Sequence, residues 1–254
     1  MIIQFTEAEI QNLTIQPVER PQCSAVYLEE REQAWAAQMK RVLALNGKMW
    51  NGEVYTLEDI ISPAEGQIIL RMSTCEYKDL VFRLQKGRDY IASHFGEDYL
   101  FRFTGVNCAP LTQDGKYIFG IRADWLEQGD PPVWGICGTL NKDEMEIHSF
   151  ADIRESMYRE IQEETALECT LENLHFFGLY AASYSYHFWF TVRLPFLSAE
   201  VNCYHRPGEF SRLIAITEAE AWEMNMPMNG SFRRWRPYLR LLPSVLLNDP
   251  AHLK

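Results

Sequence analysis

A chain of 254 residues with 47% hydrophobic and 13% aromatic content is long enough for one large domain or two modest ones, and has the composition of an ordinary globular protein. Its net charge of −11 argues against a general nucleic-acid binder or a protein held on an anionic membrane, and no apolar run reaches the roughly eighteen residues of a membrane span. The segment Met1 to Glu7 lacks the basic end and apolar stretch of a signal peptide, and Cys23, Cys75, Cys108, Cys137, Cys169 and Cys203 form no CxxC pair. Buried free thiols in a reducing cytoplasm are therefore expected, rather than a disulfide framework or a zinc site.

Residues 1–96 are expected to form a small α+β domain. Ala25-Val26-Tyr27 reads as a short strand, and Glu29 to Ala44 as a helix with Trp35, Met39, Val42 and Leu43 inward. Asn46-Gly47 and Asn51-Gly52 mark turns. Gly52 to Leu57 and Gln67 to Met72 are strand-like, with a turn at Ser62 to Gly66 between them. Cys75 to Gln85 reads as helix, and Gly87 to Glu97 as the join to the second domain, residues 97–254.

The second domain is richer in strands. Phe101 to Asn107, Tyr117 to Arg122 and Val133 to Gly138 are expected strands, the first two joined through Gln113-Asp114-Gly115. A helix from Phe150 to Ala166 follows, with Ser149 and Asp152 approximating an N-terminal capping box. Leu174 to Ala182 and His187 to Leu194 read as a strand pair around Ser183 to Tyr186, and Phe210 to Ile216 as a last strand. Helices are expected from about Glu218 and over Ser231 to Leu247, the latter bent or broken at Pro237 and Pro243. Strands around one acidic helix suggest an α/β (α+β) sandwich.

The acidic helix carries the chemistry. In Arg159-Glu160-Ile161-Gln162-Glu163-Glu164, the i, i+3, i+4 spacing brings Glu160, Glu163 and Glu164 toward one face. Like charges so placed oppose an isolated helix by about 0.2–0.5 kcal/mol. A solvated acidic face is one reading, and a site for a hard divalent ion, Mg²⁺ or Mn²⁺, is the other.

Gly138 to Glu144 followed by Arg159 to Leu167 resembles the Nudix box, G-x5-E-x7-R-E-U-x-E-E-x-G-U with U aliphatic. The Gly138 and Glu144 spacing is kept, and the R-E-U-x-E-E block is complete. The strand segments Gly115 to Arg122 and Pro132 to Gly135 are similar to those that precede the box. Two departures stand out: fourteen residues separate Glu144 from Arg159, and Ala166 replaces the glycine that usually ends the helix. That glycine ordinarily supplies a left-handed backbone.

The resemblance implies a Nudix α/β/α sandwich in which Glu160, Glu163 and Glu164 hold Mg²⁺ (or Mn²⁺), Gly138 contributes a carbonyl, and Arg159 orients the glutamates. It implies hydrolysis of a nucleoside diphosphate linked to another moiety. Glu209 is a candidate further metal ligand or general base, with an exposed loop acid as the alternative. Whether Glu144 reaches the metals across the enlarged loop stays open. Arg122 is a candidate phosphate contact or a surface ion pair, and Tyr184 and Tyr186, with His187, line a base or sugar pocket or pack a hairpin. The basic-aromatic run Ser231 to Arg236 reads as arginines snorkelling from a packed helix.

The first domain, through Trp35, Trp50 to Leu57, Ile69 to Arg71 and Thr74 to Asp79, looks like the N-terminal extension of a Nudix branch. Animal members of that branch split UDP-glucose and UDP-galactose into UMP and sugar 1-phosphate. A nucleotide sugar is accordingly the favoured substrate. ADP-ribose or a dinucleotide is the alternative, as is a non-catalytic nucleotide-sensing module. The first domain is expected to close over the substrate or to form a homodimer interface.

Overall fold

The computed structural model describes residues 2–20, 22–44, 47–122, 133–181, 185–217 and 220. In chain order its elements are β1 (Ile2–Ile3), α1 (Glu7–Gln11), β2 (Leu13–Pro17), α2 (Ala25–Ala44), β3 (Glu53–Ile61), β4 (Ile68–Glu76), α3 (Tyr77–Lys86) and α4 (Arg88–Phe95). They continue with β5 (Phe103–Leu111), β6 (Tyr117–Arg122), β7 (Val133–Trp134), β8 (Ile136–Thr139), α5 (Phe150–Glu164), β9 (His175–Ala181), β10 (Ser185–Arg193) and β11 (Phe210–Ile216). The architecture is mixed α and β, as expected. Among the described residues no helix is long and apolar enough to cross a membrane. The expected helices after Glu218 and over Ser231 to Leu247, the Ser231 to Arg236 run, and Tyr184 lie outside the described residues.

The chain forms two compact units, one from the described residues within Met1–Val106, Gly138–Ser156 and Gly178–Phe188, the other within Asn107–Cys137, Met157–Phe177 and Trp189–Lys254. A division at residue 96/97 remains a proposal.

In the first unit β3 pairs antiparallel with β4, and β2 lies parallel to β4 on its other side, Leu13 opposite Ile68. β1 pairs antiparallel with β9. The segment expected as a strand at Ala25 to Tyr27 is the first turn of α2. Ser24 starts it, its hydroxyl accepting from the Tyr27 amide at 3.2 Å and its carbonyl from the Leu28 amide at 3.0 Å. That satisfies donors a helix start otherwise leaves bare. The expected join at Gly87 to Glu97 contains a helix, α4. Its bounding glycines, Gly87 and Gly96, take φ of 84° and 101°, conformations that favour glycine and set off α4 from its neighbours.

Tyr27, Val54, Phe82, Ile91, Phe101 and Phe103 form the core here. The Tyr27 ring meets Phe82 and Phe95 edge-on, each with centroids 5.2 Å apart. Side chains of this size contribute about 1.5–3 kcal/mol each when fully buried. A charged pair is built into the same region. Asp79, 2% exposed, accepts from Arg31 Nη1 at 3.1 Å, the Tyr27 hydroxyl at 3.0 Å and the Glu76 amide at 2.9 Å. Burial pushes its carboxyl up against the pull of Arg31, so the ring of donors compensates a desolvated charge only in part.

In the second unit β11 and β7 flank β6, both antiparallel to it, and Leu111 of β5 pairs with Tyr117 of β6. Ile118, Phe119, Met157, Ile161 and Leu213 are fully buried in this unit.

Candidate active site

Helix α5 begins where its capping residues indicate. Asp152 accepts from the Ser149 amide at 2.8 Å, the Ser149 hydroxyl at 2.9 Å and the His148 amide at 2.9 Å. Its buried stripe runs through Phe150, Ile153, Met157, Ile161 and Glu164. The last member is a carboxylate on an apolar face.

That stripe sorts the three glutamates. At about 100° per residue, Glu164 falls on the stripe, Glu160 about 60° from its centre and Glu163 about 120° away. Glu164 is accordingly 5% exposed and Glu160 half-buried. Glu163 stands in solvent with its carboxylate 3.5 Å from Arg159 Nη2. An exposed i,i+4 pair of this kind contributes about 0.3–0.5 kcal/mol. The spacing that brings the three toward one face thus puts two inward and one at the rim.

Glu164 Oε2 accepts from the Cys137 amide at 3.1 Å. Burial first, then the Glu160 and Glu209 carboxylates, hold its carboxyl well above the usual range, against lesser opposing pulls from the Cys137 amide and Arg122. The Glu164 carboxyl therefore lies in the field of Glu160 and Glu209.

Glu209 enters this cluster through β11. Phe210 pairs with Arg122 of β6, and a bulge follows between Phe210 and Arg212. Phe210 is anchored by the absence of a side chain on Gly120, where an added Cβ would lie 2.1 Å from Phe210 Cδ1. With Phe210 seated, Glu209 Oε2 lies 3.1 Å from Arg122 Nη2, an ion pair in which Arg122 is 15% and Glu209 47% exposed. The structure brings Arg122, Glu209 and Glu164 together, a relation between segments far apart in the chain that no local spacing displays.

The helix ends without the usual glycine. Thr165 Oγ1 donates to the Ile161 carbonyl at 2.6 Å and accepts from the Leu167 amide at 3.1 Å. The Ala166 amide donates to the Tyr204 carbonyl at 2.8 Å, and Arg206 binds the Gln162 carbonyl. These partners do for the terminal groups what a glycine-based C-cap ordinarily does.

In the first unit, Gly138 lies on β8, its carbonyl oxygen 2.8 Å from where a Cβ on Gly105 would stand. Glu144 is exposed and accepts from Asn141 Nδ2 at 2.6 Å. Tyr186 is buried, and its hydroxyl accepts from Arg102 at 2.9 Å. Ser185 and His187, a pair without a sequence signal, are 2.7 Å apart through Oγ and Nε2.

The carboxylate oxygens of Glu160, Glu163, Glu164 and Glu209 are hard donors of the kind that suits a divalent cation. Among the described residues no group of three or more His, Cys, Asp or Glu is arranged to hold a metal ion. Glu209 is turned to Arg122 and Glu163 to Arg159.

No family model and no curated protein matches the chain. Among solved structures it is similar to the Nudix domain of Shewanella oneidensis NrtR complexed with ADP ribose, at 13% identity over 56% of this chain and 88% of that one, with a TM-score of 0.42. It is similar to the MutT protein of Methanosarcina mazei at 11% identity, over 56% and 95% of the two chains, TM-score 0.38. A Nudix hydrolase from Nitrosomonas europaea matches at 15% identity over 56% and 73%, TM-score 0.39. At these identities and TM-scores the assignment rests on the chain's own residues.

Proposed function

We propose that the chain is a Nudix-type hydrolase that uses a divalent cation, Mg²⁺ or Mn²⁺, to cleave a nucleoside diphosphate joined to a second moiety. The observation that carries this reading is Glu164, a carboxylate 5% exposed that accepts from the Cys137 amide and lies in the field of Glu160 and Glu209. Supporting it is the R-E-U-x-E-E block that contains Glu160 and Glu164.

Glu160, Glu164 and Glu163 would hold the cation, with Glu209 as a further ligand or as the general base. The Gly138 carbonyl is assigned by the family resemblance alone. When bound, the cation polarises the diphosphate and lowers the pKa of a coordinated water. Glu164 contributes a fixed negative charge, oriented by the Cys137 amide. Arg159 restrains Glu163, and Arg122 offers a guanidinium fork to a phosphate oxygen. Water attacks one phosphorus, the bridging P–O bond breaks, and the leaving phosphate carries the electron pair away.

A nucleotide sugar such as UDP-glucose is the proposed substrate, giving NMP and sugar 1-phosphate. It rests on the resemblance of the first 96 residues to the extension of a UDP-sugar-cleaving branch. Tyr184 and Tyr186 stay proposed contacts to the base or sugar, and a homodimer and a cytoplasmic location stay proposals of the same standing. ADP-ribose or a dinucleotide is the second reading. A panel of UDP-sugars, ADP-ribose and dinucleotides, incubated with Mg²⁺ or Mn²⁺ and analysed for products, tests both. Release of UMP and sugar 1-phosphate supports the first, and release of AMP and ribose 5-phosphate the second. A melting shift from a nucleotide with no cleavage of any compound would make the chain a sensing module instead.

A further inference from the structure

We propose that Tyr55 is a positioning residue for the reaction. It holds the enlarged segment between Glu144 and Arg159, so that the N-terminal part of the chain sets turnover without touching substrate. This rests on the Nudix-type reading of the glutamate helix. It adds a task for the extra residues of the segment and for the strand that receives them.

The residues that follow β8 run along the start of β3 as a further strand would. The Leu140 amide donates to the Thr104 carbonyl of β5 at 2.9 Å, and the Leu140 carbonyl accepts from the Tyr55 amide at 2.9 Å. Asn141 bridges Val54 in the antiparallel sense, and the Lys142 amide donates to the Glu53 carbonyl at 2.8 Å. Asp143 then accepts from the Glu53 amide at 3.2 Å. Gly52 admits this approach, since an added Cβ there would lie 2.2 Å from a carboxylate oxygen of Asp143. The stretch lies between Gly138 and Glu144, the two residues that open the box.

The enlarged part is caught by Tyr55 itself. Its hydroxyl accepts from the Ile147 amide at 2.9 Å, and both residues are buried. The next two amides, of His148 and Ser149, donate to Asp152 at 2.9 Å and 2.8 Å. Three successive donors at the entry to α5 are thereby satisfied, two from within the helix and one from the N-terminal part of the chain. Thr14 of β2 adds an antiparallel bridge to Ser149. α5 is continuous from Phe150 to Glu164, so a residue that fixes its entry acts on the helix that carries Glu160 and Glu164. Removing the acceptor would leave a buried amide unsatisfied and favour a shift of the segment. A displacement of about 1 Å in a catalytic framework can cost about a hundredfold in rate.

Tyr55→Phe keeps the ring and removes the acceptor. Amide hydrogen exchange across residues 140–149, read by mass spectrometry in metal-free buffer, should quicken about tenfold. In the substrate panel with Mg²⁺, kcat should fall about tenfold while KM stays within about twofold of wild type. Glu53→Gln, which breaks the exposed pair with Lys142 Nζ at 2.9 Å, should leave both readouts within about twofold of wild type. Circular dichroism confirms that each variant is folded. Exchange at the wild-type rate in Tyr55→Phe, or a raised KM with kcat unchanged, overturns the positioning role. If wild type turns over a compound and Tyr55→Phe matches it in kcat, only that role falls and the hydrolase reading stands. If wild type cleaves no compound of the panel, the hydrolase reading falls and the role falls with it.

Discussion

Replacing Glu164 by glutamine should make the metal-free protein more stable while removing its response to metal. The amide oxygen of glutamine can still accept from the Cys137 N–H, 3.1 Å from the present carboxylate. What disappears is a buried charge that Glu160 and Glu209 repel. Leaving a buried polar group poorly compensated costs roughly 1–3 kcal/mol, more when it is charged. Relief of that cost should raise the melting temperature in EDTA by about 2–4 °C for each kcal/mol.

The pH dependence has a definite sign. The folded-state pKa of Glu164 is raised above its ordinary value near 4.5. Its stabilising contribution is therefore complete below that ordinary value and lost as pH rises through the folded value. Wild type should show this loss in EDTA, and Glu164→Gln should show a flatter profile. Saturating Mg²⁺ should reverse the ranking, since a cation at a hundred times its Kd stabilises wild type by about 2.7 kcal/mol. Scanning fluorimetry or calorimetry from pH 4 to 9, with EDTA and with Mg²⁺, reads all of this. A variant less stable than wild type in EDTA, or equally stabilised by Mg²⁺, would refute the reasoning.

Three further outcomes are expected. Gly120→Ala should destabilise by about 1–3 kcal/mol through overpacking against Phe210, whereas Gly208→Ala, whose Cβ would meet nothing within 4 Å, should stay within about 0.5 kcal/mol of wild type; urea denaturation of both compares them. Asp114, which accepts from the Ser198 hydroxyl and amide, has its carboxyl lowered to about 2. Its stabilising contribution should be present above the ordinary value of 3.8 and fade as pH falls toward 2, and an NMR titration that finds an ordinary carboxyl there contradicts the contact. Asp79→Asn should cost about 3–5 kcal/mol by leaving Arg31 undercompensated in the core, toward the lower end because Glu76 also lies 2.6 Å from Arg31. Pairing it with Arg31→Met should recover part of the loss in the same denaturation assay.

The parts of the fold legible from sequence are those whose signals are local. Strands β6 and β11 occupy the residues that alternation and turn chemistry indicate, and α5 starts at its Ser149 and Asp152 cap. Ala25 to Tyr27 misled because a β-branched and an aromatic residue suggest a strand, whereas Ser24 caps a helix that continues to Ala44. Helix α4 was hidden by Gly87 and Gly96, which read as linker and serve as its boundaries. α1 is too short to display a helical period, yet Thr6 and Glu9 form a full capping box, with Thr6 N to Glu9 at 2.7 Å and Glu9 N to Thr6 at 3.2 Å. At the site, the helical repeat identifies the glutamates as a group. Which of them is buried depends on the stripe through Met157 and Ile161, and the Arg122–Glu209 pair depends on β6–β11 register.

A divalent cation at Glu160, Glu164 and their neighbours is proposed to drive hydrolysis of a diphosphate bond. The most direct test is to incubate wild type and Glu164→Gln with UDP-glucose and with ADP-ribose, in Mg²⁺ and in EDTA, and quantify nucleoside monophosphate by chromatography. Monophosphate from wild type in Mg²⁺ alone, with at least about a hundredfold less from folded Glu164→Gln, is the expected result. Equal release by the variant, or release that persists in EDTA, would contradict it.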